Sequence, residues 1–418
     1  MKMKIKFLGG AEVVGKMGML LQNKGASLLF EYGMTASKPP QYPLAAPPVD
    51  MAFLTHSHLD HCGMLPWLCG KYDTEVVSTP ITADVVELLV RDSLKIAGLE
   101  GYPKPYDEED IQSLMHNFTG MTYGEIMDVG GFEVELHPAG HLPGAAMYEL
   151  RGDQTTVFTG DMHTANMRLV WGAHPVKCDN LILEATYSGR NHPDRAKTER
   201  ELIEKVKEVV ERGGKAILPC FAVGRTQEVM LILKDLKYNM WVDGMGKTIS
   251  RYYLDRPEYV RNEKALRAAK RKFHEVRTPA DRHRARKEAQ VIVTTGGMLD
   301  GGPVLSYIDD VKDDPRSAIL LSGFQVEGSN GHMLLNEGII NVQATKEELP
   351  HPVKIKCEVR KYDLSAHADH NELLAFVRAC DPDTVVLMHS DDRSLLAKDI
   401  EADGRKVIMP TSDVEFEL

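Results

Sequence analysis

The amino-acid sequence predicts an α/β layered protein with a second α/β domain inserted into the first. Three observations carry this reading. Short apolar runs bounded by Gly, Asp or Pro alternate with longer helical patterns, the texture changes after Glu184 to a strand-and-helix series with Gly-rich joints, and strand-like runs return toward residue 418. Residues 1–10 alternate charged and apolar side chains as a half-buried strand does, and hold no long apolar stretch of the signal-peptide kind. Residues 27–30, 50–54, 76–78, 132–137, 155–158 and 180–183 read as strands, and 82–97 and 196–212 as helices; Leu202, Val206, Val209 and Val210 share one face of the latter. The Pro-rich residues 38–48 predict an ordered loop. Within the inserted domain, expected at 188–350, the runs 215–219, 240–242, 291–294 and 318–321 follow the pattern of parallel strands with functional loops at their carboxyl ends. Residues 353–359, 384–389 and 406–409 then predict strands that rejoin the first sheet, so that 1–187 and 351–418 form one domain.

Composition narrows the function classes. A chain of 418 residues that is 43% hydrophobic has material for two cores. No stretch approaches the roughly 20 apolar residues of a membrane span, so no membrane partner is expected. Cys62, Cys69, Cys178, Cys220, Cys357 and Cys380 are scattered without a CxxC pair, which argues against a disulfide framework or thiolate zinc site and predicts a reducing, cytoplasmic setting. The net charge of -11 disfavours a polyanionic substrate, yet residues 261–290 hold eleven Lys or Arg against four Asp or Glu, a local +7 that leaves -18 elsewhere. Such a block is either a solvated helix face or a place to meet a polyanion.

The run Thr55-His56-Ser57-His58-Leu59-Asp60-His61 follows an apolar stretch and packs three imidazoles and a carboxylate into six residues. His56 and His58, two apart on extended chain, point to one side and can grip one cation; Asp60 and His61 turn toward a neighbouring position. This predicts a two-metal hydrolytic centre. One loop supplies too few ligands, and four further residues at predicted strand ends qualify: His141 after Gly140, Asp161 after Gly160, His367 in Ser365-Ala366-His367-Ala368-Asp369-His370, and His389 after Val385-Val386-Leu387-Met388. Each alone reads better as a structural histidine or helix cap; their joint occurrence with the first motif favours ligation.

These motifs, in this order, resemble those of the metallo-β-lactamase superfamily and, within it, the β-CASP nucleases. Glu184 in Leu183-Glu184-Ala185-Thr186-Tyr187, His367 and His389 are similar to the three further β-CASP motifs. The segments 219–228, 295–302 and 322–329 resemble the polyadenylation-specificity-factor and archaeal RNase J-like ribonucleases, and the likeness spans essentially the whole chain. The resemblance implies an αββα sandwich with an inserted α/β β-CASP domain and two Zn2+ ions, with Mn2+ also accepted by such ligands. It implies that His56, His58 and His141 hold one ion, that Asp60, His61 and His389 hold the other, and that Asp161 bridges them. Asp60 would also orient the nucleophile, His367 would act as general acid, and Glu184 would tune it. Arg225, Gly296, Gly297, Gly323, Gln325, Gly328, Ser329 and Ser365 are the expected substrate-binding residues, the glycines offering backbone N–H groups to phosphates. The chain departs from the family pattern at Glu31, where Asp is common, at Ser390, where Gly often follows the last histidine, and at His332, where a basic residue is usual.

The expected activity is hydrolysis of single-stranded RNA in decay or processing, with the strand admitted between the inserted domain and the metal face. A site-specific endoribonuclease is the alternative; a small-molecule thioesterase or lactonase, a DNA repair nuclease and a ligand-less scaffold fit the motifs less well. No RNA-binding domain precedes the first strand, which favours 5′-to-3′ exonuclease ability. Homodimerisation is what the family often shows.

Overall fold

The computed structural model describes residues 3–343 and 350–418, so Met1 and Lys2 of the expected first strand lie outside it. The described chain divides into two compact units, one running through Asn166 and comprising also Val170–Asn191 and Ala366–Leu418, the other Met167–Leu169 and His192–Ser365.

In the first unit, two seven-stranded sheets lie face to face. One has the strand order Glu415–Glu417, Lys4–Gly9, Gly18–Asn23, Ala26–Phe30, Met51–Phe53, Val76–Ser78, Phe118–Gly120; the other Lys406–Ile408, Thr384–Met388, Asn180–Glu184, Thr155–Phe158, Ala146–Arg151, Phe132–Pro138, Ile126–Val129. The period-2 alternation of strands decides which side chains meet between them. Leu28, Phe30, Phe53 and Val77 join Tyr148, Phe158, Ile182 and Val386 in one core between the sheets. Their neighbours Leu29, Ala52, Leu54 and Val76 face the other way, where Leu65, Leu68, Val86, Val90, Ile111 and Leu114 of three helices cover them. On the second sheet's side, helix Ser394–Ala402 packs against strand Lys406–Ile408 and helix His370–Cys380. The result is the αββα sandwich. Both sheets switch from antiparallel to parallel pairing partway across: Asn180–Glu184 pairs in parallel with Thr155–Phe158 and with Thr384–Met388, and Ala26–Phe30 with Met51–Phe53. The carboxyl ends of these parallel strands deliver the loops that matter below.

The second unit is built on a six-stranded sheet, ordered His274–Glu275, Met240–Asp243, Val291–Thr295, Ala216–Cys220, Ala318–Leu321, Glu358–Lys361, with every pairing parallel. Its central strands are continuously buried, as a sheet covered on both faces requires. Asp243, fully buried at a strand end, accepts hydrogen bonds from Arg282 (2.7 Å) and the Tyr307 hydroxyl (2.9 Å).

The residues 353–359, expected to rejoin the first sheet, do not. His351–Lys354 pairs antiparallel with Ile339–Val342, and Glu358–Lys361 is the edge of the parallel sheet, so the second unit extends to Ser365 rather than to 350. Lys354, Glu358 and Arg360 make these strands half-polar, which suits an exposed edge. The expected helix 196–212 is Arg195–Glu211, capped by Asp194, and 82–97 lies within Pro80–Glu100.

Candidate metal centre

Backbone contacts fix the Thr55–His61 run from several sides. Ala146 N–H donates to the Thr55 carbonyl (2.9 Å), Met17 N–H to that of Asp60 (2.8 Å) and Tyr32 N–H to that of His61 (2.7 Å). Residue 33 has to be glycine here, since a Cβ on it would lie 1.7 Å from the Asp60 carbonyl oxygen. Gly140, at φ +75° with a Cβ position 2.2 Å from the His163 carbonyl, likewise lets the chain turn sharply before His141. Glu31 and His389 both adopt left-handed backbone (φ 63° and 58°), a strain typical of functional sites.

All seven expected metal ligands converge. His56, His58, His141 and Asp161 form one group whose donor atoms lie within 4.8 Å of one another, and Asp60, His61 and His389 form another. His58 Nδ1 is 3.1 Å from His56 Nε2 and 3.2 Å from His141 Nε2. Ligand atoms about 2.05 Å from a tetrahedral ion stand about 3.3 Å apart, so this spacing fits one cation. Asp161 lies between the groups, Oδ2 being 3.6 Å from His56 Nε2 and 3.3 Å from His61 Nε2, and Oδ1 3.1 Å from His389 Nδ1.

The electrostatics agree. Burial pushes His56, His58 and His141 down, His58 to about 4, so these rings are neutral and their lone pairs available. At His61 and His389 burial works the same way, but nearby carboxylates, Asp161 foremost, outweigh it and raise both, His389 to about 10. Protein groups that draw protons onto buried imidazoles are short of positive charge, which divalent cations would supply. His61 Nε2 and Asp161 Oδ1 are buried and make no well-aligned hydrogen bond among the described residues, facing instead the other donors of the cluster, Asp161 Oδ2 and His389 Nδ1, as fits atoms gathered around a cation.

A second layer orients the first. Glu31 Oε1 accepts from Thr55 N–H (2.8 Å) and Oε2 from His61 Nδ1 (3.1 Å), so the longer Glu does what a carboxylate there must do. His141 Nδ1 donates to the Ala366 carbonyl (2.8 Å), Gly15 N–H donates to His389 Nε2 (3.2 Å), and the Thr186 hydroxyl donates to the His389 carbonyl (3.2 Å). Sequence reasoning missed Ala366, Gly15 and Thr186, and no spacing rule could have found them. His367 Nδ1 donates to Glu184 Oε1 (3.0 Å), its ring centroid lies 4.6 Å from that of His141, and its Nε2 lies 4.0 Å from Asp161 Oδ2. Burial opposes its charge, but Glu184 and Asp161 raise it above the ordinary histidine value. Asp369 serves as the N-cap of helix His370–Cys380.

The expected substrate-binding residues lie in the second unit, and part of the set converges there. Three neighbouring strands end in the loops bearing Arg225, Gly296 with Gly297, and Gly323 with Gln325. Arg225 Nη1 donates to the Ser322 carbonyl (2.5 Å), and the Gln325 amide donates to the carbonyls of Gly297 (3.0 Å) and Gly323 (3.3 Å). The Gln325 amide thus ties loops together. The Ser329 side chain caps helix Asn330–Glu337, with Gly328 at φ +80° just before it. Ser365 is apart from these loops, its carbonyl accepting from Arg195 Nη1 (3.2 Å).

A two-sheet sandwich with this donor cluster defines a metal-dependent hydrolase. The family models agree and add the rest: residues 16–219 match the metallo-beta-lactamase superfamily, 226–334 the Beta-Casp domain, and 352–410 the Zn-dependent metallo-hydrolase RNA specificity domain. The chain is 33% identical over 406 residues to a protein described as "Probable RNase MJ4" of Methanocaldococcus jannaschii, covering 93% of this chain and 94% of the relative. It is 32% identical over 432 residues to "RNase aCSPSF2" of Saccharolobus solfataricus (99% of this chain, 85% of the relative), and 30% identical over 437 residues to "Transcription termination factor FttA" of Pyrococcus horikoshii (94% and 67%). A crystal structure of a protein of unknown function from Enterococcus faecalis V583 shares the fold, with TM-score 0.64 at 14% identity over the full length of both chains. The chain belongs to the β-CASP ribonuclease family of the metallo-β-lactamase superfamily and is a metal-dependent ribonuclease.

Proposed function

We propose that the protein hydrolyses the phosphodiester bonds of single-stranded RNA at a two-zinc centre, with 5′-to-3′ exonucleolytic ability. The observation that carries this reading is the position of Asp161 between two groups of neutral or carboxylate-paired donors, His56, His58 and His141 on one side and Asp60, His61 and His389 on the other. Imidazole and carboxylate donors suit zinc and also accept manganese. When bound, such a pair supplies Lewis acidity, lowering the pKa of an attacking water toward ~7 and neutralising charge that develops on the phosphoryl oxygens.

The chain's own groups do the rest. Asp60, about a quarter exposed where its partners are buried, accepts a hydrogen bond from the attacking water and aligns it. His367, 21% exposed, gives its Nε2 proton to the departing ribose oxygen, and Glu184, bonded to Nδ1, fixes the tautomer and stabilises the charged ring. The main-chain N–H groups around Gly296, Gly297, Gly323 and Gly328 contact phosphates, and Arg225 shapes that surface, while Ser365 would meet the strand elsewhere on the second unit. The scattered cysteines, without a CxxC pair, suit a reducing, cytoplasmic setting, and no described helix is long and apolar enough to cross a membrane.

Incubation with a 5′-labelled linear RNA and its circular counterpart tests the mode. Release of labelled mononucleotide from the linear form alone is expected. Cleavage of the circle would replace the exonucleolytic reading by an endonucleolytic one.

A further inference from the structure

We propose that the second unit carries a separate phosphate-binding pocket that anchors the RNA strand several nucleotides away from its glycine-rich loops. The inference rests on the RNA-hydrolysing reading above. Helix Gly246–Asp255, helix Glu263–Lys272 and the edge strand His274–Glu275 border an open groove of about 830 Å3. Five cations line it, Arg251, Arg267, Lys270, Arg271 and Arg277, against three carboxylates, Asp255, Glu275 and Asp281.

Two of the three carboxylates are engaged already, and the third, Asp255, four residues after Arg251 on the same helix, leaves the lining with an excess of two positive charges. Glu275 accepts from both Lys270 and Arg277, and Asp281 closes the capping box of helix Pro279–Glu288. Arg267 is paired with Glu263 (2.6 Å) on its own helix. Arg251 donates to the Thr248 hydroxyl (3.3 Å), and neither it nor Arg271 has a carboxylate partner among the described residues, leaving two guanidinium groups to receive an anion. The structure thereby sharpens what the basic stretch 261–290 suggests: Arg284 and Arg286 are held by Asp281 (3.2 Å) and Asp310 (2.5 Å), and a residue outside the stretch, Arg251, joins the site. An exposed imidazole, His274, lies 5.0 Å from the buried Trp241 ring and offers a flat face to a base, which favours single-stranded nucleic acid over an acidic peptide.

Sheet order gives the reach. The edge strand is three positions from Ala216–Cys220 and four from Ala318–Leu321, or about 14 to 19 Å at ~4.8 Å per strand. At ~3.4 Å per stacked nucleotide, that is roughly four to six steps from phosphate to phosphate, or about five to seven nucleotides. Short RNA therefore cannot fill both places.

The test is binding of labelled single-stranded RNA of four and of twelve nucleotides, with Asp161→Asn in every protein to prevent consumption. Removing two phosphate contacts by Arg251→Ala with Arg271→Ala should lower the salt slope for the 12-mer by ~1.4, or roughly 25-fold in affinity between 1 M and 0.1 M salt. The 4-mer should bind within about twofold of the parent, Arg251→Lys with Arg271→Lys should restore most of the loss, and the equal charge change Lys197→Ala with Lys207→Ala should have little effect. An unchanged 12-mer, an equal loss for both lengths, or an equal loss from the control pair would overturn the proposal. So would displacement of the 12-mer by polyglutamate as effectively as by RNA, or a pocket that takes inorganic pyrophosphate while RNA affinity ignores the substitutions. If the wild-type protein failed to hydrolyse RNA but the length-dependent loss appeared, the catalytic reading would fall and the pocket would stand.

Discussion

Asp161 is the residue on which both halves of the donor cluster depend, because His56 and His61 approach one of its oxygens and His389 the other. Asp161→Ala, or His58→Ala, should abolish RNA hydrolysis and lower bound metal by elemental analysis; retained activity in either would refute a shared two-ion site. His367 calls for a different test, since a general acid matters only when the leaving group needs a proton. His367→Ala should lose about 10²- to 10⁴-fold on RNA but far less on bis(p-nitrophenyl) phosphate, whose nitrophenolate departs unprotonated. Equal losses on both substrates would point to phosphate binding instead. Asp161→Ala should lose both activities alike.

At the scale of elements, what was legible in sequence was whatever lay close along the chain. His56 and His58 sit in the loop that leads into the one-turn helix Leu59–Cys62 carrying Asp60 and His61, and His141, Asp161 and His389 each follow a strand that its apolar or alternating pattern announces. The supporting contacts were not legible, because Gly15, Thr186 and Ala366 reach their partners 374, 203 and 225 residues away. The strands at 351–361 were misplaced for a related reason: their composition says exposed edge, but not which sheet's edge. The loop geometry gives a prediction at this scale. With the Asp60 carbonyl 1.7 Å from the Cβ position of residue 33, Gly33→Ala forces the strand end and the metal loop apart. A cost of about 1–3 kcal/mol or more is expected in denaturant unfolding, together with reduced metal content. Unaltered stability and metal content would show that the loop is not held by this close approach.

For the whole molecule, the decisive fact is that every donor in the cluster belongs to the first unit, whereas the second has its own core around Ile217, Trp241, Ile292, Tyr307 and Ile319. A ligand stabilises only the cooperative unit whose native form binds it, by about 2.7 kcal/mol per site at a hundredfold excess over Kd. If the two cores unfold as separate transitions, calorimetry of the metal-loaded protein should resolve them, and chelation should lower the midpoint of one while the other stays in place. The transition that moves is assigned by substitution. Asp243→Ala removes the buried acceptor of the Tyr307 hydroxyl and of the more exposed Arg282, and should lower only the second unit's transition, by the roughly 1–3 kcal/mol that an unsatisfied buried polar group costs. Chelation and Asp243→Ala acting on the same transition would mean that the chain unfolds as one body, with metal binding stabilising the inserted unit as well as the sandwich.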